Sequence, residues 1–424
     1  MRDDASGSIE GVLERVRSPS GLRDEFFRTV LESWAYSALT SLIPIAAAWF
    51  SFSFLILCEV HPGHASRTSP IEAMCAWDGE WYVEIVKEGY SYSPDRMSNV
   101  AFYPLYPLLG SIVDGVTGLG AEASLLVVSQ ATFTIGCILL SFYLQKTRGD
   151  ATSIRLETVQ LCLALFPTSY FYRAAYTESL FFCLSVAILL AIAYRLPVLI
   201  VTALVALATA TRFVGVAFVP IVAWYAWRRS PVLRDRIGNL TAVPFSISGL
   251  VVYAAWLGWK FGEPFAFAKT QSYWTMRARP TDFLGIVKSA TIGPIMDVFD
   301  PSCAVCYWGN RPPEDSVLFN LWPINPIAFV GTLILLLIGA YKRWLTGYEA
   351  VASFGLLLIP YTSQGYRTCM ASQARYALVI FPAMIVLATF IEKLPGSWQV
   401  IYFAASAALL AAYSSLFFAW YWFY

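Results

Sequence analysis

Long apolar runs constrain this chain more than any other feature, because a water-soluble core cannot bury so many of them. A helix that crosses the hydrocarbon core of a bilayer needs about 20 predominantly apolar residues, and about 17 is the lower end. Only 13% of the 424 residues are charged, whereas an average soluble domain has about 25%. The sequence therefore predicts an all-α polytopic membrane protein with about 11 transmembrane helices. The expected spans lie at 34–58, 122–145, 156–171, 178–194, 197–211, 213–227, 239–259, 322–340, 348–362, 376–391 and 398–421.

Basic residues in the short connections indicate the orientation, since cytoplasmic loops are enriched in Lys and Arg. We expect residues 1–33 to form a cytosolic tail, without the features of a cleaved signal peptide. A transmembrane domain then occupies 34–424, with long outer loops at 59–121 and 260–321. The side expected to face the cytosol carries Lys146, Arg148, Arg155, Arg195, Arg228, Arg229, Arg234, Arg236, Lys342, Arg343 and Lys393.

The composition disfavours several functional classes, among them nucleic-acid-binding proteins and enzymes with a His-rich metal site. The net charge of +1 gives no bias toward nucleic acid. His61 and His64 are the only histidines; we expect them to be solvated loop residues, which leaves little for a His-rich metal site. The sequence contains no P-loop and no DxD pair that would hold the metal of a nucleotide sugar.

Cys303 and Cys306 form a CxxC motif in the second outer loop. Zinc is not expected there, because a structural zinc site usually has four ligands and neither a second CxxC nor a nearby His is present. If this loop faces an oxidising compartment, a disulfide within the motif, or one that involves Cys75 or Cys369, remains open.

The segment CAWDGEWYVEIVKEGY at 75–90 sets one acid apart from its neighbours. At helical spacing Asp78 shares a face with Tyr82, whereas Glu80 and Glu84 point roughly the opposite way. A partly desolvated carboxylate on the aromatic side is a stronger base. Asp is also a favoured N-cap, with 79–81 as the first helical turn, and both interpretations stay open.

Further motifs follow in the same order as in a known family. They are AFYPLYPLL at 101–109, FPTSYFYRAAYTESLFF at 166–182, ATATRFVGVAFVP at 208–220, FGEPFAFAKTQSYW at 261–274 and QARYALVIFP at 373–382. Together with the 75–90 segment they resemble the PIG-V-related mannosyltransferases of the GT-C superfamily of membrane glycosyltransferases. Pro104 and Pro107 in the first of these motifs are expected to break a regular helix and to mark where the first outer loop turns toward the next helix.

This resemblance implies a GT-C glycosyltransferase fold with a large first outer loop. It implies transfer of a hexose, with mannose indicated by the family, from a polyprenyl-phosphate sugar donor to a lipid-linked or glycan acceptor. The transfer would invert the anomeric configuration on the non-cytosolic face, in a bacterial plasma membrane or in the endoplasmic reticulum of a eukaryote. Membrane lipids are expected partners, nucleic acid is not, and no protein partner is identified.

The resemblance also implies site residues. Asp78 matches the general base, and Glu178 is either a second acid of the cavity or a helix-start carboxylate that stabilises the first turn. No cofactor is expected besides the lipid-linked sugar as co-substrate, although a divalent metal held through Asp78 and Glu178 remains open. The substrate-binding candidates are Trp77, Trp81, Tyr82, Tyr176, Arg173, Arg212, Arg375 and Gln271.

The phosphate-binding candidates are arginines at the outer ends of helices, because a guanidinium binds phosphate with two parallel hydrogen bonds. They are Arg173, Arg212, Arg367 and Arg375. For Arg173 the alternative is a structural ion pair with Glu178. For Arg212 the alternative is a side chain that extends toward the membrane interface.

Two other functions stay open. A transporter or lipid flippase also has many spans and intramembrane charge, but it should show two related halves, which this sequence lacks. A non-catalytic partner in a glycosylation complex would keep the fold without the chemistry.

Overall fold

The computed structural model describes residues 19–55, 69–148, 154–307 and 322–421. Every regular element in these ranges is helical, so the all-α class predicted from the sequence is confirmed. His61 and His64 lie outside the described residues, as do residues 1–18 of the predicted tail and the last part of the second outer loop at 308–321.

The α-helices of the described ranges are numbered in chain order. They are α1 (Pro19–Phe54), α2 (Pro70–Ala73), α3 (Asp78–Glu88), α4 (Leu105–Thr117), α5 (Ala121–Arg148), α6 (Leu156–Ala164), α7 (Glu178–Ala193), α8 (Val198–Thr211), α9 (Val219–Arg228), α10 (Leu233–Leu240), α11 (Ser248–Phe261), α12 (Ala266–Lys269), α13 (Phe283–Ala290), α14 (Gly293–Phe299), α15 (Ile324–Tyr341), α16 (Gly347–Pro360), α17 (Gln373–Leu378), α18 (Phe381–Ile391) and α19 (Gly396–Phe418). Short 3₁₀ helices lie at Asn99–Ala101, Ser169–Tyr172, Phe213–Phe218, Val243–Ile247 and Thr270–Trp274, and a π-helical turn lies at Tyr361–Gly365.

Five stretches of the described chain are long and apolar enough to cross a membrane by length and composition. They are Arg23–Phe54, Ala121–Arg148, Leu233–Phe261, Ile324–Tyr341 and Gly396–Phe418. Shorter apolar helices occupy Leu105–Thr117, Glu178–Ala193, Val198–Thr211, Phe213–Arg228 and Phe381–Ile391. The chain is therefore an integral membrane protein by its apolar helices, and the exact number of spans stays a prediction.

Several predicted runs are interrupted rather than continuous, and proline explains two of the breaks. The run expected at 156–171 ends as α6 at Ala164, ahead of Pro167. The run at 376–391 is divided between α17 and α18, where Pro382 lies in the first turn of α18. Proline has no N–H to donate to the preceding turn, so a helix usually begins at proline rather than passing through it.

Two boundaries in the first part of the chain bear on the sequence predictions. Helix α1 begins at Pro19, so residues 19–33 of the predicted tail continue the first span as helix. The AFYPLYPLL motif marks the start of the next helix, as expected: Pro104 is the N-cap of α4 and Pro107 lies in its first turn. The first turn has N–H groups with no acceptor in the helix, which is why proline is tolerated there.

Hydroxyl and amide side chains join α1 to α5 and α6. Ser33 and Ser141 share a hydrogen bond of 2.7 Å, and Gln160 on α6 donates to both hydroxyls. Further along α1, Ser41 donates to Gln130 at 3.1 Å. Small polar residues let helices approach closely and hydrogen-bond across their interface where no water is present. This seam fixes α1 beside α5 and α6, and α5 in turn packs against α7, whose first residue belongs to the site.

Candidate active site

Four charged side chains from separate parts of the chain meet at one end of the helices. Asp78 is the first residue of α3, Glu178 is the first residue of α7, Arg212 directly follows α8, and Arg375 lies on α17. Arg375 donates from Nη1 to Oδ2 of Asp78 at 2.5 Å and from Nε to Oε1 of Glu178. Arg212 donates from Nη1 to the same Oε1 atom. Glu178 therefore joins the two guanidinium groups, and Arg375 joins the two acids.

The two acids differ in their access to solvent. The Glu178 side chain is fully buried, whereas 29% of the Asp78 side chain is exposed. Among the described residues, no donor reaches Oε2 of Glu178. A buried carboxylate oxygen normally has a hydrogen-bond partner, which can be water or a ligand group. Asp78 is thus the acid that a molecule from outside can reach first, and Glu178 holds the arginines from within.

An unusual backbone turn sets the position of Asp78. Trp77, the N-cap of α3, has a positive φ of 62° with ψ of −121°. Outside glycine such a sparsely populated conformation costs about 1–3 kcal/mol, so the surrounding contacts must hold it. The N-cap interpretation of Asp78 is therefore wrong: Trp77 occupies that position, and the Asp78 carboxylate is turned to Arg375 instead.

Tyr176 holds this turn from the opposite segment. Its hydroxyl accepts a hydrogen bond from the backbone N–H of Asp78 at 3.0 Å and donates to the carbonyl of Ala76 at 3.1 Å. The neighbouring Ala175 N–H donates to the carbonyl of Met74 at 3.1 Å. Tyr176 is fully buried, so this hydroxyl positions Asp78 through the backbone.

Arg212 reaches the cluster because the chain turns sharply after α8. Its backbone is extended, and the following 3₁₀ helix packs against the end of α8. A Cβ at Gly215 would lie 2.7 Å from the backbone carbon of Ala208, so this approach requires glycine. Arg212 also donates to Oγ1 of Thr177 at 3.2 Å, and its guanidinium lies 5.4 Å from the centre of the Tyr376 ring.

Aromatic rings enclose Arg375. Its guanidinium carbon lies 4.6 Å from the ring centre of Tyr176 and 5.4 Å from that of Phe171. Burial alone lowers the pKa of Arg375, but the charges of Glu178 and Asp78 outweigh it and raise the pKa well above its ordinary value. Arg375 therefore stays a cation whatever the pH at which the protein works.

The predicted aromatic residues line the approach to Asp78. Trp77 packs on Trp420, with ring centres 4.9 Å apart. Trp81 packs on Trp274 at 5.8 Å, and Trp274 lies in the same short 3₁₀ helix as Gln271. Gln271 is partly buried and lies three positions before Trp274 in that helix.

Tyr82 lies beneath this surface rather than on it. Its ring packs edge-on against Phe102 and Tyr106, each at 5.0 Å, and only 4% of the residue is exposed. Burial raises the pKa of Tyr82 above its ordinary value, so its hydroxyl stays protonated.

Arg173 takes up neither of the positions considered from the sequence. It is almost fully buried and donates to Thr40 at 2.9 Å, to Ser41 at 3.2 Å and to the carbonyl of Ser169 at 3.3 Å. Its guanidinium lies 3.8 Å from the centre of the Phe133 ring. The predicted pair with Glu178 is wrong, because Arg212 and Arg375 occupy that carboxylate and Arg173 binds α1 instead.

The charges of the cluster cancel, since two carboxylates face two guanidinium groups. A divalent cation prefers several anionic oxygen ligands and no neighbouring cation. In the described part of the chain, no group of three or more His, Cys, Asp or Glu side chains is placed to hold a metal ion.

Sequence reasoning missed the parts of the site that carry no charge. Trp420 follows the last helix, and Phe171 and Thr177 precede Glu178 in the sequence. Nothing in their spacing connects these three residues to Asp78. Packing among chain segments far apart in sequence brings them together.

The fold and the site together define an all-helical integral membrane protein with an acid–arginine cluster at one end of its helices. Over 112 residues, 25% of the chain, it is 32% identical to GPI mannosyltransferase 2 of Drosophila melanogaster. This similarity confirms the resemblance to the PIG-V-related proteins that the motifs indicated. The matched segment spans 24% of the length of that relative. No family model matches the chain.

Among solved structures, the chain is similar to an oligosaccharyltransferase of Archaeoglobus fulgidus. The apo form gives a TM-score of 0.40 at 12% identity over 89% of this chain and 56% of that chain. The complex with Zn and sulfate gives a TM-score of 0.40 at 11% identity over 88% of this chain and 53% of that chain.

Proposed function

We propose that this protein is a GT-C membrane glycosyltransferase that moves a hexose, with mannose the first candidate, from a polyprenyl-phosphate sugar to a lipid-linked or glycan acceptor. The similarity to GPI mannosyltransferase 2 supports the reaction class. The observation that carries the proposal is the partly exposed Asp78 carboxylate beside two arginines that Glu178 holds in place.

Asp78 is the general base in this proposal. The acceptor hydroxyl approaches the exposed carboxylate, which takes the proton as the hydroxyl oxygen attacks the anomeric carbon. Proton transfer of this kind contributes roughly 10²–10⁴-fold to a rate. The bond from the anomeric carbon to the phosphate oxygen breaks on the opposite face of the sugar, so a single displacement inverts the configuration.

Arg375 and Arg212 stabilise the departing phosphate. A guanidinium has five N–H donors. The ion pairs of the cluster engage Nε and Nη1 of Arg375 and Nη1 of Arg212, which leaves further N–H groups to bind phosphate oxygens. Their positive charge offsets the negative charge that develops on the leaving group in a low-dielectric site. The lipid tail of the donor needs only apolar helix surface, which this chain offers in quantity.

The guanidinium groups of Arg212 and Arg375 would repel each other without an anion between them. The buried carboxylate of Glu178 keeps them close together. The Oε2 atom of Glu178 suits an acceptor hydroxyl or a bound water. Because the cluster is already neutral, we propose that transfer needs neither a metal nor another cofactor.

Positive charge at the end of the helices opposite to the acid–arginine cluster supports a site on the non-cytosolic face. Lys146, near the end of α5, lies 5.2 Å from the ring of Tyr194 at the end of α7. Glu178, at the start of α7, is therefore at the end of the bundle opposite to these basic residues. Basic residues favour the cytoplasmic side, so we propose that the acid–arginine cluster faces the outside of a bacterium or the lumen of the endoplasmic reticulum.

Radiolabelled donors test the function directly. Purified protein is incubated with polyprenyl-phosphate mannose, glucose or arabinose and a membrane lipid extract, and labelled products are identified. We expect label to pass from the mannose donor to the extract with the wild type and not with Asp78→Asn. Equal labelling by Asp78→Asn, or none from any donor, would remove the support for the proposal.

A further inference from the structure

Three cysteines lie together outside the acid–arginine cluster. Cys306 and Cys369 form a disulfide, one of the pairings that the sequence left open. Cys303 has a free thiol, and its Sγ atom accepts a hydrogen bond from the backbone N–H of Cys306 at 3.3 Å. Cys303 is partly exposed, whereas Cys306 and Cys369 are fully buried. One thiol accessible to solvent therefore lies beside one buried disulfide.

The disulfide holds a stretch of unusual backbone. Cys369, Met370 and Ser372 all have left-handed conformations, with φ of 50°, 66° and 65°. Residues other than glycine adopt this conformation when their surroundings hold them there. Helix α17 begins directly afterwards, at Gln373, so the disulfide fixes the segment that leads into the helix of Arg375.

Other contacts tie the same segment to the second outer loop. The indole N–H of Trp322 donates to the carbonyl of Cys369 at 2.9 Å. The backbone N–H of Met276 donates to the carbonyl of Arg367 at 2.8 Å, and Arg277 donates to the carbonyl of Tyr366. Hydrogen bonds and one covalent bond, the disulfide, therefore hold residues 366–369 at the start of the left-handed segment.

We propose that these cysteines form a thiol switch, in which pairing of Cys306 with Cys369 fixes the left-handed segment before Arg375 and pairing of Cys306 with Cys303 releases it. The two pairings exclude each other because they share Cys306. Residues three apart in a turn have Cα atoms within about 7 Å, a separation that a disulfide can bridge with little movement. The backbone bond from Tyr307 N–H to the Cys303 carbonyl closes this turn.

The exchange needs no oxidant or reductant. The thiolate of Cys303 attacks Sγ of Cys306, the Cys303–Cys306 bond forms, and the Cys306–Cys369 bond breaks. The electron pair of the broken bond leaves on Sγ of Cys369, which takes up the proton that Cys303 lost. Nη1 of Arg277 lies 4.0 Å from Sγ of Cys303 and also binds Asp297 at 2.7 Å.

Release of Cys369 removes the covalent tie, so the left-handed segment can relax and Arg375 loses its fixed distance to Asp78. The effect on sugar transfer rests on the proposed function, but the exchange of disulfides does not. The switch therefore links the second outer loop to the cluster through the choice of disulfide partner for Cys306.

Disulfide mapping under non-reducing conditions tests the exchange. Full-length protein in detergent is alkylated with N-ethylmaleimide either at once or after incubation at neutral pH, then digested and analysed by mass spectrometry. The wild type should show the Cys306–Cys369 peptide when blocked at once, and a growing Cys303–Cys306 peptide after incubation. Cys303→Ser should show only the first peptide. Cys369→Ser cannot form the first peptide and should give the second when oxidised glutathione is supplied as the oxidant.

Hydrogen exchange of residues 366–378 tests the structural consequence without any enzyme assay. Opening of a local segment raises its amide exchange, so we expect exchange about tenfold faster in Cys369→Ser than in the wild type. Cys303→Ser keeps the Cys306–Cys369 disulfide, so its amide exchange in residues 366–378 should match that of the wild type. This variant is the control for folding. The proposal is overturned if no Cys303–Cys306 peptide forms, or if the two variants exchange at the same rate.

A donor titration separates this proposal from the proposed function. If the enzyme transfers mannose, Cys369→Ser should raise the KM for the donor while Cys303→Ser leaves it unchanged. If no donor is used at all, the mapping and the hydrogen exchange still decide whether the switch exists.

Discussion

Arg375 donates a hydrogen bond from Nη1 to Oδ2 of Asp78 at 2.5 Å, across 297 positions of sequence. The same side chain binds Glu178 through Nε. One guanidinium thus sets the separation between the accessible acid and the buried one. Any change in the segment that carries Arg375 therefore alters the position of Asp78, and most of the testable predictions depend on this link.

Asp78→Asn should abolish transfer, with a fall of roughly 10²–10⁴-fold in kcat, because an amide cannot accept the proton of the acceptor hydroxyl. The shape of the side chain is kept, so the apparent melting temperature in detergent should stay near that of the wild type. Glu88→Gln, at an exposed acid of the same helix, is the matched control and should retain full activity. A variant at Asp78 that still turns over would rule out its role as the base.

Glu178→Gln should destabilise the protein, because it leaves two buried guanidinium groups facing a neutral amide. Removal of one partner from a buried ion pair costs about 3–5 kcal/mol, and thermal unfolding in detergent reports it. Glu349 is an equally buried acid that binds Arg148 at 2.6 Å and Tyr143 at 2.8 Å.

Glu349→Gln is therefore the control for Glu178→Gln. It should be destabilised to a similar extent, but the folded fraction should keep kcat/KM within about threefold. The reason is that Glu349 binds Tyr143, Arg148 and Thr346, which lie outside the acid–arginine cluster. Equal loss of kcat/KM in both variants would mean that Glu178 acts only through stability.

Tyr176→Phe should lower kcat about tenfold with little change in donor KM, because Asp78 loses the hydroxyl that fixes its backbone. The lost hydrogen bonds are worth about 0.5–1.5 kcal/mol each in stability. Tyr106→Phe removes another buried hydroxyl, which binds the carbonyl of Leu125 at 3.0 Å. Steady-state kinetics should show a normal kcat for Tyr106→Phe; a normal kcat for Tyr176→Phe as well would contradict the positioning role.

Arg375→Lys should raise the donor KM by about 10–100-fold. The planar guanidinium of arginine can bind an acid and a phosphate at the same time through separate N–H groups, whereas the ammonium group of lysine lacks this geometry. Arg173→Lys is the comparison, since this arginine binds α1 and the Phe133 ring. It should lower the apparent melting temperature and leave the donor KM unchanged. A donor KM that rises in Arg173→Lys would return this residue to the substrate-binding set.

Transfer should continue in the presence of EDTA, because the two arginines already balance the charge of the two acids. The assay compares initial rates with and without the chelator, followed by addition of Mg²⁺ or Mn²⁺. Loss of activity with EDTA that a divalent ion restores would show that a metal takes part.

Helices and candidate residues were largely accessible from the sequence, because apolar length and helical spacing are local properties. The runs at 122–145, 178–194 and 197–211 coincide closely with α5, α7 and α8. The helical spacing after Asp78 predicted α3, and the family motifs pointed to Glu178, Arg212 and Arg375. The local interpretation that was wrong concerned the N-cap of α3, which is Trp77 and not Asp78. Pro104 and Pro107 mark the start of the next helix, α4, as expected.

By itself, the sequence determined that the chain is a helical membrane protein. It also indicated which charged residues lie among apolar neighbours, where the free-energy cost of burying a charge points to a functional role. Only the tertiary structure decided which charges meet. It paired Glu178 with Arg212 and Arg375 rather than with the nearby Arg173, and it joined Cys306 to Cys369. The physical reason is that a pair forms where packing brings two side chains within about 4 Å in a dry interior. Distance along the chain carries no information about that.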